Sequence, residues 1–254
     1  FHRRADAALY PLRRALPAVS RFYVEDAFAD RLAALDPEPP RERTGVHEAA
    51  SEPGQRGGFA LYVPESREPG ERLPLVVALH GGSGHGSDFL WTWLREARSR
   101  RCLLLAPTSL RSTWSLMGGD VDTPNLHRMI DAIDADLGID RERVLLTGLS
   151  DGATFALLCG LREDSPFTAL APVSGVLHPA NFANGNVERA RGRRIRLVHG
   201  ALDWMFPVGL ARAAADALAR AGAELEYREI ADLSHTYPRE ENARILDWMG
   251  VAGR

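Results

Sequence analysis

Four short stretches of this chain carry side chains suited to nucleophilic chemistry. The first is Gly148-Leu149-Ser150-Asp151-Gly152, a Gly-x-Ser-x-Gly motif. An apolar run, Val144-Leu145-Leu146-Thr147, precedes it, and a helix-compatible run from Ala153 to Leu158 follows. A serine so placed is expected on a sharp strand-to-helix turn that lifts its hydroxyl above a sheet edge. With 23 glycines in 254 residues, chance produces the motif roughly 0.1 times, so context has to carry the argument. The other stretches are His80-Gly81-Gly82-Ser83-Gly84, His199-Gly200-Ala201-Leu202-Asp203 and Asp232-Leu233-Ser234-His235. A serine hydroxyl is a poor nucleophile at neutral pH and needs a base to take its proton. An imidazole base in turn needs a carboxylate to hold its tautomer.

These stretches can act together only if the fold brings them to one edge. Eight strands are expected, near 43–49, 58–63, 75–80, 102–107, 144–147, 168–173, 195–199 and 225–230. The turn Glu52-Pro53-Gly54-Gln55 makes the first two an antiparallel hairpin. From Leu75 onward the strands alternate with helical stretches near 87–100, 125–137, 153–161, 208–221 and 239–249. That alternation predicts an α/β fold, a mostly parallel sheet with helices on both faces. Thr123-Pro124 reads as the start of one helix, and Gly138 and Gly222 as the ends of two. Ligands of open parallel sheets bind beyond the carboxyl ends of the strands, and each reactive stretch directly follows a predicted strand. Residues 1–40 stand apart as a helical arm made basic by Arg3, Arg4, Arg13 and Arg14. Pro37-Glu38-Pro39-Pro40 divides it from a domain at 41–254.

The motifs, over about residues 43–250, resemble small serine esterases of the α/β-hydrolase fold. The nearest groups are phospholipase/carboxylesterase and polyhydroxybutyrate-depolymerase-like. The resemblance rests on His80-Gly81-Gly82, the motif around Ser150, His199-Gly200-x-x-Asp203 and His235. It implies that esters are cleaved through an acyl-enzyme. The chain order Ser, acid, His is the one such folds use. Chemistry then assigns Ser150 as nucleophile, His235 as base and Asp203 as its orienting acid. Asp232 competes for the acid role but shares a loop with His235. Backbone N–H groups must stabilise the oxyanion. Asp151 follows the nucleophile and supplies one; the His80 loop supplies the other, from Gly82 ahead of Ser83. Relatives often carry a bulkier residue in that loop.

Only residues 174–194 separate the sixth and seventh strands, too few and too polar for a substantial lid domain. An open site suits short acyl or aryl esters, with Trp114, Met117, Trp204 and Met205 as candidate pocket residues. Phe206 belongs to the same rim. No cofactor and no metal site is expected: His85, His127 and His178 lack ligand spacing, and Asp120 with Asp122 reads as a turn. The net charge of −3 gives no reason to expect nucleic acid, and no apolar run is long enough for a membrane span. Cys102 and Cys159 read as buried small apolar residues. The arm suits either a membrane-surface or partner-docking helix, or one packed on its own domain or on a twin subunit in a homodimer, and the second pair is preferred. Two other functions fit the same residues: a peptidase or amidase using the same triad, and a hydrolase-like binding module without activity.

Overall fold

The computed structural model describes residues 2–37, 39, 41–50, 52 and 54–251, with side chains from residue 5 onward. The side chains of Arg3 and Arg4, Glu38 and Pro40 of the boundary, and Pro53 of the hairpin turn therefore lie outside the described residues. Eight strands form one sheet among these residues: β1 (Gly45–Ala49), β2 (Phe59–Val63), β3 (Leu73–Leu79), β4 (Leu103–Pro107), β5 (Ile139–Leu149), β6 (Ala169–Val173), β7 (Arg194–Gly200) and β8 (Glu224–Ile230). Their order is β1-β2-β4-β3-β5-β6-β7-β8. β2 runs antiparallel to β1 and β4, and all other pairs are parallel.

Period-two alternation decides which residues face each helical layer. Along β3, Leu75, Val77 and Leu79 face one core, while Val76 and Ala78 face the other. The first core is closed by α5 (Asp122–Leu137), α6 (Asp151–Gly160) and α8 (Val208–Arg220). The second is closed by α4 (Gly86–Ser99) and α9 (Glu241–Met249), through residues such as Leu90, Trp93 and Ile245. The helices after β3 and β5 thus depart to opposite faces although the two strands are neighbours. This is a topological switch point, and it opens a crevice above the strand ends. β5 begins five residues before the expected Val144, because the buried Ile139 pairs with Leu73 and the polar Asp140 to Arg143 bulge out of register before Val144 pairs with Leu75. The segment between β6 and β7 adds one short helix (Ala180–Ala183) and a turn at Glu188–Ala190, and no lid domain is formed among the described residues.

The arm folds as short helices, α1 (His2–Leu9), α2 (Pro17–Phe22) and α3 (Leu32–Leu35), joined by tight turns. Its Tyr10 and Tyr23 are buried in the same apolar cluster as α4 and α9. Beneath them lies a polar knot. Glu65, 1% exposed, accepts hydrogen bonds from the Tyr10 hydroxyl (2.5 Å), the Tyr62 hydroxyl (2.7 Å) and the Arg13 guanidinium (2.7 Å). Arg98 of α4, with no exposed side-chain surface, donates to the Ser20 carbonyl and to Asp36. Removing one partner from such a buried set costs about 3–5 kcal/mol, so the arm is tied to its own domain by more than surface contact. Leu9, Leu12, Leu16 and Phe22 stay exposed on its outer side. Cys102 and Cys159 are both buried and free, one in each core, and burial pushes both thiols up to about 12.

Candidate active site

Ser150 sits between the end of β5 and the start of α6 with φ 57° and ψ −117°. This left-handed conformation is costly for a non-glycine residue and persists only where its surroundings enforce it. Here the Ser150 N–H donates to the Val173 carbonyl (3.0 Å). The flanking glycines let strand and helix close up. A Cβ at Gly148 would stand 2.7 Å from the Gly152 carbonyl carbon, and one at Gly152 would stand 2.4 Å from the His80 carbonyl oxygen. No larger residue fits either place.

The reactive groups converge above this turn. The Ser150 hydroxyl lies 3.0 Å from His235 Nε2, and His235 Nδ1 lies 2.8 Å from Asp203 Oδ2. An ionised carboxylate only accepts, so Nδ1 carries the proton and Nε2 is free to accept from Ser150. The other Asp203 oxygen accepts the backbone N–H groups of Met205 (3.0 Å) and Phe206 (2.8 Å). Burial by itself raises the Asp203 carboxyl, but the Phe206 N–H, His235 and the Met205 N–H together hold it below its ordinary value. His199 braces this loop by donating from Nε2 to the Phe206 carbonyl (2.8 Å). Asp232 remains exposed on the loop of His235. Phe206 and Trp204 stand edge-on to the His235 ring, at 5.3 and 6.3 Å between centroids.

On the other side of the crevice, the His80 loop is held by its own imidazole. Nε2 accepts the Ser109 N–H (3.1 Å), so Nδ1 is the protonated nitrogen and donates to the Gly81 carbonyl (2.6 Å). Burial depresses His80 to about 4, so it is a neutral brace across the neutral range. The Ser83 N–H is taken by the Ser112 carbonyl (2.7 Å), which removes Ser83 as an oxyanion donor. The N–H groups of Gly82 and Asp151 have no protein acceptor among the described residues. The Asp151 carboxylate is drawn aside by the Thr113 hydroxyl (2.6 Å). It packs so close to Gly82 that a Cβ there would lie 2.7 Å from Oδ2. Thr113 had no sequence signal, since it lies in an irregular loop without periodicity.

Trp114 is a correction. It is 3% exposed, stacks on Phe155 at 5.3 Å and donates its indole N–H to the His80 carbonyl (2.7 Å). A large apolar side chain with a single polar handle is better accommodated under the loop than on its rim. It therefore supports the loop and does not line a pocket. Met117, Trp204 and Met205 are exposed by 79%, 73% and 46%. Asp122 is also a loop brace: it accepts the Leu110 N–H and the Ser115 hydroxyl. The helix starts at Asp122 itself, with Val121 and no capping side chain at its N-cap, and the Thr123 N–H donates to Asp120 one residue earlier (3.0 Å).

The His235 loop is anchored from behind. The Tyr237 hydroxyl donates to Asn242 Oδ1 (2.8 Å), and the Asn242 amide donates to the Thr92 carbonyl (2.8 Å) and to Glu96 (3.3 Å). Burial raises the Glu96 carboxyl from 4.5 to about 7, although the Asn242 amide opposes the shift. A carboxyl whose folded-state pKa is raised loses stability as pH climbs from its unfolded value through its folded one. Glu96→Gln is therefore expected to gain on wild type by about 2–3 kcal/mol between roughly pH 4 and pH 8. Urea midpoints at the two pH values check this; an unchanged difference would contradict it.

The chain is 29% identical over 126 residues to "Probable feruloyl esterase C" of Aspergillus terreus (strain NIH 2624 / FGSC A1156), covering 46% of each protein. It is 26% identical over 134 residues to "Bifunctional acetylxylan esterase/xylanase XynS20E" of Neocallimastix patriciarum, covering 51% of this chain and 20% of that protein. The matches thus span less than half the length of either relative. Among solved structures, the fluorophosphonate-binding serine hydrolase FphF of Staphylococcus aureus superposes with a TM-score of 0.66. It is 16% identical and covers 82% of this chain and 97% of that one. That likeness confirms the α/β-hydrolase fold. A family model described as Phospholipase/Carboxylesterase matches residues 120–250. Those residues are just over half of the chain and carry Ser150, Asp203 and His235, so this chain belongs to the phospholipase/carboxylesterase family.

Proposed function

We propose that this chain is a serine hydrolase that cleaves carboxylic esters through an acyl-enzyme, with short acyl or aryl esters as substrates. The observation that carries the reading is the contact chain from the Ser150 hydroxyl to His235 Nε2 and from His235 Nδ1 to Asp203. In this reading His235 takes the Ser150 proton as Oγ attacks the ester carbonyl, and Asp203 stabilises the imidazolium that forms. The oxyanion is received by the N–H groups of Gly82 and Asp151, the latter at a helix N-terminus where the backbone dipole favours negative charge. His235 then returns the proton to the leaving alcohol, and a water repeats the sequence to release the acid. Catalysis is assigned to residues 41–254, with the arm at 1–40 as support for the layer of α4 and α9. Acyl contact is assigned to Trp204 and Met205, which adjoin Asp203 and stay exposed, and to the exposed Met117. The relatives are named for feruloyl and acetylxylan esters, one an aromatic acyl group and one a short one, in keeping with an open rim.

An amide carbonyl is less electrophilic than an ester's, and His235 must protonate its amine before it can leave. The ester p-nitrophenyl acetate is therefore expected to exceed the matching p-nitroanilide by about a hundredfold or more in kcat/KM. Parity would favour the amidase reading. Failure on both substrates would favour a binding module.

A further inference from the structure

A cavity of about 590 Å³ lies on α6 away from the triad, within the size range of small-molecule sites. Its floor includes Leu116, Phe155 and Leu158, and its walls include Asp120, Arg162 and Arg189. Phe155 and Leu158 follow Asp151 at helical spacing on α6, and Arg162 lies two residues past the end of that helix. At 1.5 Å per residue, the helical part of the cavity lining runs from roughly 7 Å to about 12 Å along the axis from Ser150. The loop whose Thr113 holds Asp151 also supplies Ser115, Leu116, Gly118 and Asp120 to the cavity. Cavity and candidate oxyanion site thus share one wall.

The polar lining is built and nearly balanced in charge. Asn186 is 4% exposed; its amide donates to the Leu158 carbonyl (3.2 Å) and to Asn181 (3.1 Å), while its oxygen accepts from Arg189 (3.3 Å). Arg189 also donates to the Asn184 carbonyl (2.7 Å). Arg162 is held by both oxygens of Asp164, at 3.0 and 3.3 Å, and stands 3.6 Å from Asp120. Two guanidinium groups against Asp120, Glu163 and Asp164 leave no surplus positive charge, and each cation already faces an acceptor. An anion would find nothing free to neutralise it. A neutral ligand rich in hydroxyls fits, because each hydroxyl can donate to a carboxylate and accept from a guanidinium or amide. Its C–H surface would lie on the apolar floor.

We infer that this cavity is a subsite for a neutral, polyhydroxylated group, the sugar portion of an ester whose acyl carbon is presented to Ser150. The inference rests on the ester-hydrolase reading for its link to Ser150, but sugar binding is measurable without turnover. Xylotetraose, titrated into the 254-residue chain and followed by calorimetry and amide chemical shifts, is expected to bind and to shift Leu116, Leu158 and Asn186. Tetragalacturonate, its acidic counterpart, is expected not to bind. Arg189→Ala and Leu158→Trp, the one removing a donor and the other filling the cavity, should each weaken xylotetraose by about tenfold. Both should raise KM for acetylated xylotetraose by a similar factor and leave kcat/KM for p-nitrophenyl acetate within about twofold. Absence of xylotetraose binding, preference for the acidic sugar, or equal losses on both esters would overturn the subsite. If wild type binds xylotetraose but hydrolyses neither ester, the ester reading fails and the sugar site stands.

Discussion

Ser150→Ala is expected to lower kcat on p-nitrophenyl acetate by ~10⁴-fold or more. The variant loses only the attacking oxygen. The Gly82 and Asp151 N–H groups stay in place, so a residual rate above that of water is also expected. Ser150 is 7% exposed and its backbone is held through the Val173 carbonyl, so alanine should keep the turn. The strained φ of 57° is already present in wild type, and the urea midpoint should move by less than about 1 kcal/mol equivalent. Wild-type turnover in this variant would remove Ser150 from the reaction.

Asp203→Asn is the second large effect, with an expected loss in kcat of ~10⁴-fold. The carboxylate oxygen that receives His235 Nδ1 becomes part of an amide. If its NH₂ faces the ring, His235 is driven to the other tautomer, whose Nε2 carries a proton and cannot accept from Ser150. The loop geometry favours that wrong orientation, because the other oxygen is kept as an acceptor by the N–H groups of Met205 and Phe206. Asp232→Asn touches an exposed side chain on the loop of His235 and should leave kcat within about twofold. Steady-state rates of the two variants at saturating ester decide the matter; the reverse ranking would move the acid to Asp232.

Much of this was legible in the residue order because the parallel sheet and its helices leave local signatures. Continuous apolar runs marked the buried strands, and the glycines at 148 and 152 marked a close approach that only the elbow requires. The start of β5 was not legible, since the polar Asp140 to Arg143 bulge between two paired core residues, Ile139 and Val144, and interrupt the apolar run. Trp114 was misread because an aromatic residue in a long loop looks the same whether it faces solvent or closes a core. Its stacking on Phe155 is a tertiary fact with no sequence period. The arm showed helical spacing, but the Glu65 knot joins residues separated by about 52 to 55 positions, and no local pattern encodes that pairing. Thr113 and the cavity on α6 were hidden for the same reason: irregular loops are positioned by partners distant in sequence.

Activation of Ser150 by His235 and Asp203 is tested most directly by covalent labelling of the 254-residue chain with a fluorophosphonate, followed by peptide mass mapping. A single phosphonyl adduct on Ser150, absent from Ser150→Ala and strongly slowed in Asp203→Asn, is the predicted result. An unlabelled protein, or an adduct on another residue, would contradict it.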